Sequence, residues 1–138
     1  DSQTGSVYRL DGSVNTDVDD RPIRWLRRGP VLSQNEHRLF VSCFHLCMER
    51  GVGTATGQGV NPVVMMRWSK DGGKNWGTER MGRVGKTGEY GKLLRWWQLG
   101  SGRWLAAEVS GTDPVPARMI DAFVDLAQPV QGSSRGAA

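Results

Sequence analysis

The sequence predicts an all-β fold of short antiparallel strands and hairpins, arranged like a β-sandwich or a β-propeller. Its 138 residues include 19 glycines and 6 prolines, which favour many turns over long helices. Runs of β-branched and aromatic residues lie between these turns, as strands require. No long segment shows the apolar period of a helix. If the chain is part of a longer protein, it would be a fragment of a propeller.

The composition along the chain divides it into three parts. Residues 1–20 form a polar N-terminal segment with a candidate short strand at Tyr8–Leu10, and residues 21–127 form the β-domain. Residues 128–138 are rich in glycine, serine and alanine, so we expect a flexible tail. One domain suits this length, since domains commonly contain ~100–150 residues. No apolar run approaches the ~18 residues that span a bilayer, so no membrane span is expected.

The first two strands of the β-domain are predicted over Ile23–Arg28 and Arg38–Met48. Gly29-Pro30 ends the first strand. Both faces of the second strand are mostly apolar, so it is expected inside the protein and covered on two sides. Cys43 and Cys47 would lie ~13 Å apart along it, beyond the reach of a disulfide. We therefore predict free, buried thiols.

A hairpin is predicted at residues 63–81, with its turn at Ser69–Trp76. Asp71 can accept hydrogen bonds from backbone N–H groups, Gly72 and Gly73 can adopt positive φ, and Trp76 can cover the turn. The turn resembles the Asp-box, a structural hairpin motif of sialidases and many β-propellers, although Asn75 replaces the usual Thr or Ser. The residues that carry this predicted structural role are Ser69, Asp71, Gly73 and Trp76.

The C-terminal half predicts a second hairpin and a last strand. Tyr90–Leu99 and Arg103–Val109 flank the turn Gly100–Gly102, so residues 90–109 are expected to pair with each other. Alternation along Tyr90–Leu99 places Leu99 on the same strand face as Trp97. Residues 117–126 fit a strand by alternation and a helix by an apolar stripe, and the neighbouring strands favour the strand.

Motifs that suggest chemistry are weak in this chain. Gly85-Lys86-Thr87 lacks the first glycine of a P-loop, because position 80 is an arginine. Cys43, His45 and Cys47 share a strand face, but same-face side chains lie ~6.6 Å apart, which makes a shared metal ion difficult to hold. We predict core packing with a hydrogen-bonded His45. No catalytic, cofactor-binding or metal residue is predicted, no cofactor is expected, and the protein is not expected to be an enzyme.

A basic cluster accounts for part of the net charge of +4. It consists of Arg24, Trp25, Arg27 and Arg28, and a strand would place Arg27 on the face opposite Arg24 and Arg28. Two interpretations stay open for this cluster: solvated arginines on an edge strand, or contact with an acidic partner or nucleic acid. The six tryptophans likewise suit either core and interface packing or a stacking platform for sugars or bases.

Several uncommon segments recur in an order that resembles a known family. They are Met48–Gly53, Gly57–Gly59, Asn61–Ser69 with the Asp-box turn, Gly85 with Gly88–Tyr90, Trp96 with Leu99-Gly100, and Asp113–Val115. Together they are similar to the C-terminal part of the phage packaged-DNA stabilization family, the tail accessory or nozzle proteins of short-tailed phages. The resemblance covers roughly residues 21–126. Family members are several times longer, so the chain is expected to be a fragment or a reduced β-domain.

The resemblance implies a structural protein of the virion tail, synthesised in the cytoplasm of the bacterial host. Such proteins form a ring, expected to be hexameric, below the portal and its adaptor, and they contact other tail proteins. The ring extends the DNA channel and retains packaged DNA until ejection, and double-stranded DNA passes through it without sequence-specific binding. A basic lumen would bind DNA and slow ejection. We therefore predict the cluster of Arg24, Trp25, Arg27 and Arg28 at a subunit interface.

An alternative is a carbohydrate-recognising β-domain of a tail or receptor-binding protein that uses exposed tryptophans. A weaker one is a propeller fragment of a glycosidase. Buried tryptophans would favour the structural role, whereas two exposed rings in one shallow groove would favour sugar binding.

Overall fold

The computed structural model describes residues 3–127 and shows seven β-strands with one short 3-10 turn at Val18–Asp20. The strands are β1 (Trp25–Arg28), β2 (Leu39–Met48), β3 (Val63–Ser69), β4 (Arg80–Arg83), β5 (Leu94–Gly102), β6 (Ala106–Gly111) and β7 (Met119–Leu126). The last strand is therefore extended, as predicted, because β7 pairs along its length with β2. The predicted tail at residues 128–138 lies outside the described residues.

The strands form two antiparallel sheets that pack face to face. One sheet has the order β1-β6-β3-β4, and the other has the order β5-β2-β7. Most neighbours within a sheet are distant in sequence, and consecutive strands lie in different sheets except for the β3–β4 hairpin, as in a sandwich. A propeller blade would instead be a single four-stranded sheet. The all-β prediction is thus confirmed, and the sandwich is the architecture that the chain adopts.

The predicted second hairpin at residues 90–109 is wrong. β5 pairs with β2, while β6 pairs with β1 and β3 in the other sheet. The connecting residues Arg103–Leu105 cross between the sheets, because Leu105 is completely buried and forms a bridge with Leu32. Burying this leucine between the layers separates β5 from β6.

The hydrophobic core fills the space between the two sheets. Phe44 lies at its centre, with ring centroids 6.1 Å from Trp68 and 5.8 Å from Trp96. Leu99 is also buried in this core, although strict alternation placed it with the exposed Trp97. A bulge explains the difference, since Gln98 adopts a positive φ of 58° and shifts the alternation by one residue.

β2 is the central strand of its sheet, as its apolar faces indicated. Its inner face contributes buried residues to the core, and its outer face carries Cys43, His45 and Cys47. Both cysteines are free, as predicted, but only Cys43 is fully buried. The His45 ring packs 6.0 Å from Phe123, and its buried Nε2 has no hydrogen-bond partner among the described residues. The hydrogen bond predicted for His45 is therefore not formed at this nitrogen, and the residues opposite His45 on the flanking strands are Arg95 and Phe123.

The other predicted strands differ mainly at their ends. β1 begins two residues later than predicted, and the first hairpin ends at Arg83, the last residue of β4, rather than at residue 81. Tyr8–Leu10 forms no strand and is exposed. Within residues 3–127, no helix has the length and apolar character needed to cross a membrane.

Candidate interaction surfaces

The turn at Ser69–Trp76 lies between β3 and β4 and is held by side chains that bond to its own backbone. The Ser69 hydroxyl donates to Asp71 Oδ1 at 2.8 Å and accepts the Gly73 N–H at 2.8 Å. The backbone and side-chain N–H groups of Asn75 donate to the Asp71 carboxylate at 2.9 and 2.7 Å. These bonds lower the pKa of Asp71 to about 2, and the bond from the Asn75 backbone N–H makes the largest contribution. Asn75, which replaces the usual Thr or Ser, therefore keeps a side-chain donor at this position.

Trp76 lies against this turn and over the outer face of the four-stranded sheet. A Cβ built at Gly73 would approach the indole ring to 3.4 Å, which shows how closely the ring covers the turn. The guanidinium carbons of Arg28 and Arg67 lie 5.3 and 5.8 Å from the ring centroid. Both distances suit cation–π contacts. The tryptophan therefore connects the hairpin turn to β1 and β3.

Glu108 is the charged centre beneath this tryptophan. It lies on β6 between Arg28 on β1 and Arg67 on β3, in one row across the three strands. Arg28 Nε donates to Glu108 Oε2 at 2.6 Å, and Arg67 Nε donates to Oε1 at 2.9 Å, with a further Arg67 Nη2 contact to Oε1. Only 2% of Glu108 is exposed. Burial would raise its pKa, but the two arginines outweigh burial and hold it below its ordinary value.

Sequence reasoning did not find this Arg–Glu–Arg row. The available signal was a single carboxylate in the otherwise uncharged strand Ala106–Gly111. A buried carboxylate requires cationic partners, since leaving it unpaired would be costly. Which arginines fill that role depends on the sheet order, and the sheet order is visible only in the folded chain.

The predicted basic cluster lies on and beside β1, at one edge of the four-stranded sheet. Trp25 is half-buried, and its ring lies so close to Gly111 that a Cβ there would be only 2.7 Å away. Arg28 is paired with Glu108, whereas Arg24 and Arg27 are exposed and form no ion pair with the described residues. Arg27 faces the space between the sheets. The four residues therefore occupy both faces of one edge strand.

An open cleft of about 350 Å³ separates β1 from β7. β4 and β5 contact each other across the opposite side of the sandwich, so β1 and β7 are the edge strands of its open side. The cleft is lined mainly by apolar inner-face residues, among them Phe44, Leu46, Trp68, Val109, Met119 and Val124. Its walls thus continue the hydrophobic core outward to solvent.

The tryptophans are used mainly within the fold. Trp68 and Trp96 are buried, and their indole nitrogens have no hydrogen-bond partner among the described residues. Trp97 and Trp104 are 52% and 44% exposed, but neither lines the cleft between β1 and β7. Trp97 lies on β5, and Trp104 is bridged to the turn between β3 and β4 at Asp71. The two exposed rings thus lie on different elements, β5 and the connection between β5 and β6, and outside the cleft.

Two packed antiparallel sheets, a locked hairpin turn and an ion-paired edge define a β-sandwich whose polar contacts serve structure and packing. A comparison with known protein families identifies the particular β-sandwich family. Residues 24–127, about three quarters of the chain, match the family described as bacteriophage P22 Gp10, beta-sandwich, and the chain belongs to this family of phage tail proteins. No curated protein sequence matched the chain. The family supports a structural role and a location in the virion tail.

Proposed function

We propose that this domain is a non-catalytic subunit of the tail nozzle, the accessory ring that extends the DNA channel below the portal and adaptor. In this role it helps to retain packaged DNA until ejection. The family match over residues 24–127 carries the proposal, because it spans the whole sandwich rather than one motif. The subunits form a homo-oligomeric ring, expected to be hexameric, and they are synthesised in the cytoplasm of the bacterial host.

The arrangement of the arginines supports a role in packing rather than in holding DNA. Arg28 and Arg67 share one buried carboxylate, so their charge is partly neutralised within the domain. Proteins that hold DNA need cations free to replace the counterions of phosphates. Arg24 and Arg27 remain free of ion pairs in the described part of the chain, and on the wall of the channel they would bind DNA and slow its ejection. We therefore place the edge strand β1 at a subunit interface, with DNA passing through the channel without sequence-specific contact.

The proposal is tested in phage particles assembled with and without this domain. Particles lacking it are expected to package DNA but to lose it, so that the DNA becomes sensitive to added nuclease. Complementation with the intact chain should restore nuclease-resistant genomes and return the chain to purified tails. Glu79 is exposed and forms no ion pair with the residues that the structure describes, so a chain with Glu79→Gln should complement as well as the wild type and serves as the control variant. Full genome retention without the domain would contradict the proposal.

A further inference from the structure

The edge strand β7 is the part of the sandwich least protected against pairing with another strand. β1 and β4 are only four residues long and carry arginines, while β5 is interrupted by the bulge at Gln98. β7 is eight residues long and contains no lysine, arginine or proline. Three of its apolar side chains, Ile120, Phe123 and Leu126, are at least half exposed. A long, apolar edge of this kind accepts an additional strand.

The open side of β7 can be identified from its hydrogen bonds. The N–H of Ala122 donates to its neighbour's carboxylate, Asp121 Oδ1, at 2.8 Å instead of to β2. Beyond the strand, the Ala127 N–H donates to Phe40 O at 2.7 Å, so odd-numbered residues face β2. Because backbone groups alternate along a strand, the even-numbered residues of β7 from Ala122 onward direct their N–H and C=O groups outward.

The two faces of β7 differ in character. The inner face is apolar and lines the cleft through Ile120, Ala122 and Val124. Asp121 and Asp125 lie on the outer face, because they pair with the outer-face cysteines of β2, and neither forms an ion pair with the described residues. Phe123 lies between them on that face, where it packs against His45. A matching strand therefore needs apolar side chains on one face and a cation beside an apolar side chain on the other.

Residues 7–10 have this alternation. They lie outside every strand of their own domain, and Val7 and Leu10 are 97% and 99% exposed. When the segment is extended, Tyr8 and Leu10 share one face, and Val7 and Arg9 share the other. The first face is apolar, and the second combines an apolar side chain with a cation. Apolar side chains that remain this exposed in one copy are available to bind another.

The faces of this segment and of β7 match in either direction of pairing. The apolar face of the segment covers the apolar lining of the cleft. On the outer face, Val7 lies beside Phe123. Because each aspartate is two residues from this ring, Arg9 then meets Asp121 in an antiparallel pair or Asp125 in a parallel one.

The cleft also contains a polar group that lacks a partner. Trp68 lines the cleft, and its buried indole N–H has no acceptor among the described residues. A buried donor without an acceptor lowers stability. A strand lying in the cleft brings carbonyl oxygens, and Tyr8 brings a hydroxyl oxygen, so the occupant supplies acceptors that the lining lacks.

We propose that residues 7–10 of one copy of this chain pair with β7 of a neighbouring copy and cover its cleft. Each copy donates one segment and accepts one, so the two contact surfaces differ. Repeating such a contact closes a ring when the rotation between copies allows it. This contact joins subunits of the proposed ring, so it rests on the homo-oligomer of the proposed function but not on the retention of DNA.

Analytical ultracentrifugation of the 138-residue chain tests the donated segment. The wild type should associate, and Leu10→Asp should weaken each contact by about 10- to 100-fold, because a charge replaces a buried leucine side chain. Leu10→Met stays apolar and should associate like the wild type. Leu10 is exposed within its own chain, so both variants should keep the wild-type thermal midpoint. Equal association of the two variants would overturn the proposal.

A mixing experiment separates contact between copies from a return of the segment to its own β7. Ala122→Pro removes an outward N–H of the accepting edge, leaves the donated segment intact, and should weaken association of the variant by itself. Mixed with Leu10→Asp, it should form a 1:1 pair, because the intact segment of one variant meets the intact β7 of the other. Ala122→Thr is the folded control. A mixture that contains only monomers would overturn the proposal.

Charge exchange provides a test that does not alter the backbone. Arg9→Glu should weaken association, and combining it with Asp121→Lys or with Asp125→Lys should restore it. Rescue by the first identifies an antiparallel pair, and rescue by the second identifies a parallel one. Rescue by neither would overturn the proposal, and so would a wild type that stays monomeric up to about 1 mM. If Ala122→Pro is unfolded by circular dichroism, the charge exchange decides.

The two proposals fail in different ways. If the chain acts in the tail without this contact, Leu10→Asp will restore nuclease-resistant genomes as fully as the wild type, and the contact alone is refuted. If particles without the domain retain their genomes, the tail function is refuted, and the association of the isolated chain still decides the contact.

Discussion

Replacing Glu108 by glutamine removes the shared counter-charge of two arginines without changing the size of the side chain. The bond to Arg67 is the more shielded one, since 34% of that arginine side chain is exposed, and hydrogen bonds to charged groups contribute about 1.5–3 kcal/mol. The Arg28 side chain is 58% exposed, so water and salt reduce its contribution to at most about 1 kcal/mol. We therefore expect Glu108→Gln to lower the free energy of unfolding by about 2–4 kcal/mol.

Equilibrium urea denaturation at neutral pH measures this change through tryptophan fluorescence. With an m-value of about 2 kcal/mol/M, the midpoint should fall by about 1–2 M while the slope stays constant. Glu79→Gln is the matched control, because Glu79 is exposed and forms no ion pair among the described residues. Its midpoint should stay within about 0.5 kcal/mol of the wild type. Equal midpoints for the two variants would refute the role of Glu108.

The pH dependence provides an independent check on the same residue. The pKa of folded Glu108 lies below its ordinary value of 4.5, so the carboxylate contributes its full stability above that value. This contribution is lost as the pH falls through the lowered pKa of the folded state. The wild type should therefore lose more stability than Glu108→Gln on acidification below about pH 4.5. Parallel acid-denaturation curves would show that the ion pairs contribute nothing.

Three further predictions concern the turn, the core and the thiols. Asp71→Ala should lower the thermal midpoint of unfolding. The variant should also lose less stability than the wild type between pH 3.8 and about 2, because the folded pKa of Asp71 is about 2 and its contribution disappears as the pH falls through that range. An unchanged acid-denaturation curve would contradict this role. Phe44→Ala should cost about 3–5 kcal/mol in urea, and Phe44→Leu should cost less, because the ring is buried between two tryptophans; equal losses would argue against ring packing. Burial raises the pKa of the Cys43 thiol and makes it less reactive. Mass spectrometry should therefore show that iodoacetamide labels only Cys47 in the native chain and both cysteines in urea. Rapid labelling of Cys43 in the native chain would contradict its burial.

Local sequence patterns predicted those elements whose structure depends on residues close together in the chain. The apolar run Arg38–Met48 indicated a central strand, and β2 occupies that position. The polar turn Ser69–Trp76 closes on itself through bonds between residues two to four positions apart, so its geometry follows from short-range chemistry. The resemblance across ordered segments likewise pointed to a phage tail family, and the family match confirmed that class.

Long-range contacts decided the features that the local patterns did not predict. A bulge at Gln98 needs a partner strand to define it, so alternation misplaced Leu99. The apparent hairpin at residues 90–109 separated into two sheets because Leu105 is buried between them. Glu108 became a structural centre because the sheet order brings in Arg28 and Arg67, which lie 80 and 41 residues away in sequence.

The sequence by itself determined an all-β chain with strands at nearly the right places, a self-bonded turn and a basic edge. Only the tertiary structure decided which edges remain open, which arginines are neutralised and where an apolar cleft reaches the surface. The physical reason is that strand formation follows local side-chain alternation, whereas sheet order depends on burying residues far apart in the chain. The apolar cleft follows from that order, because β1 and β7 flank one open side only after both sheets have formed.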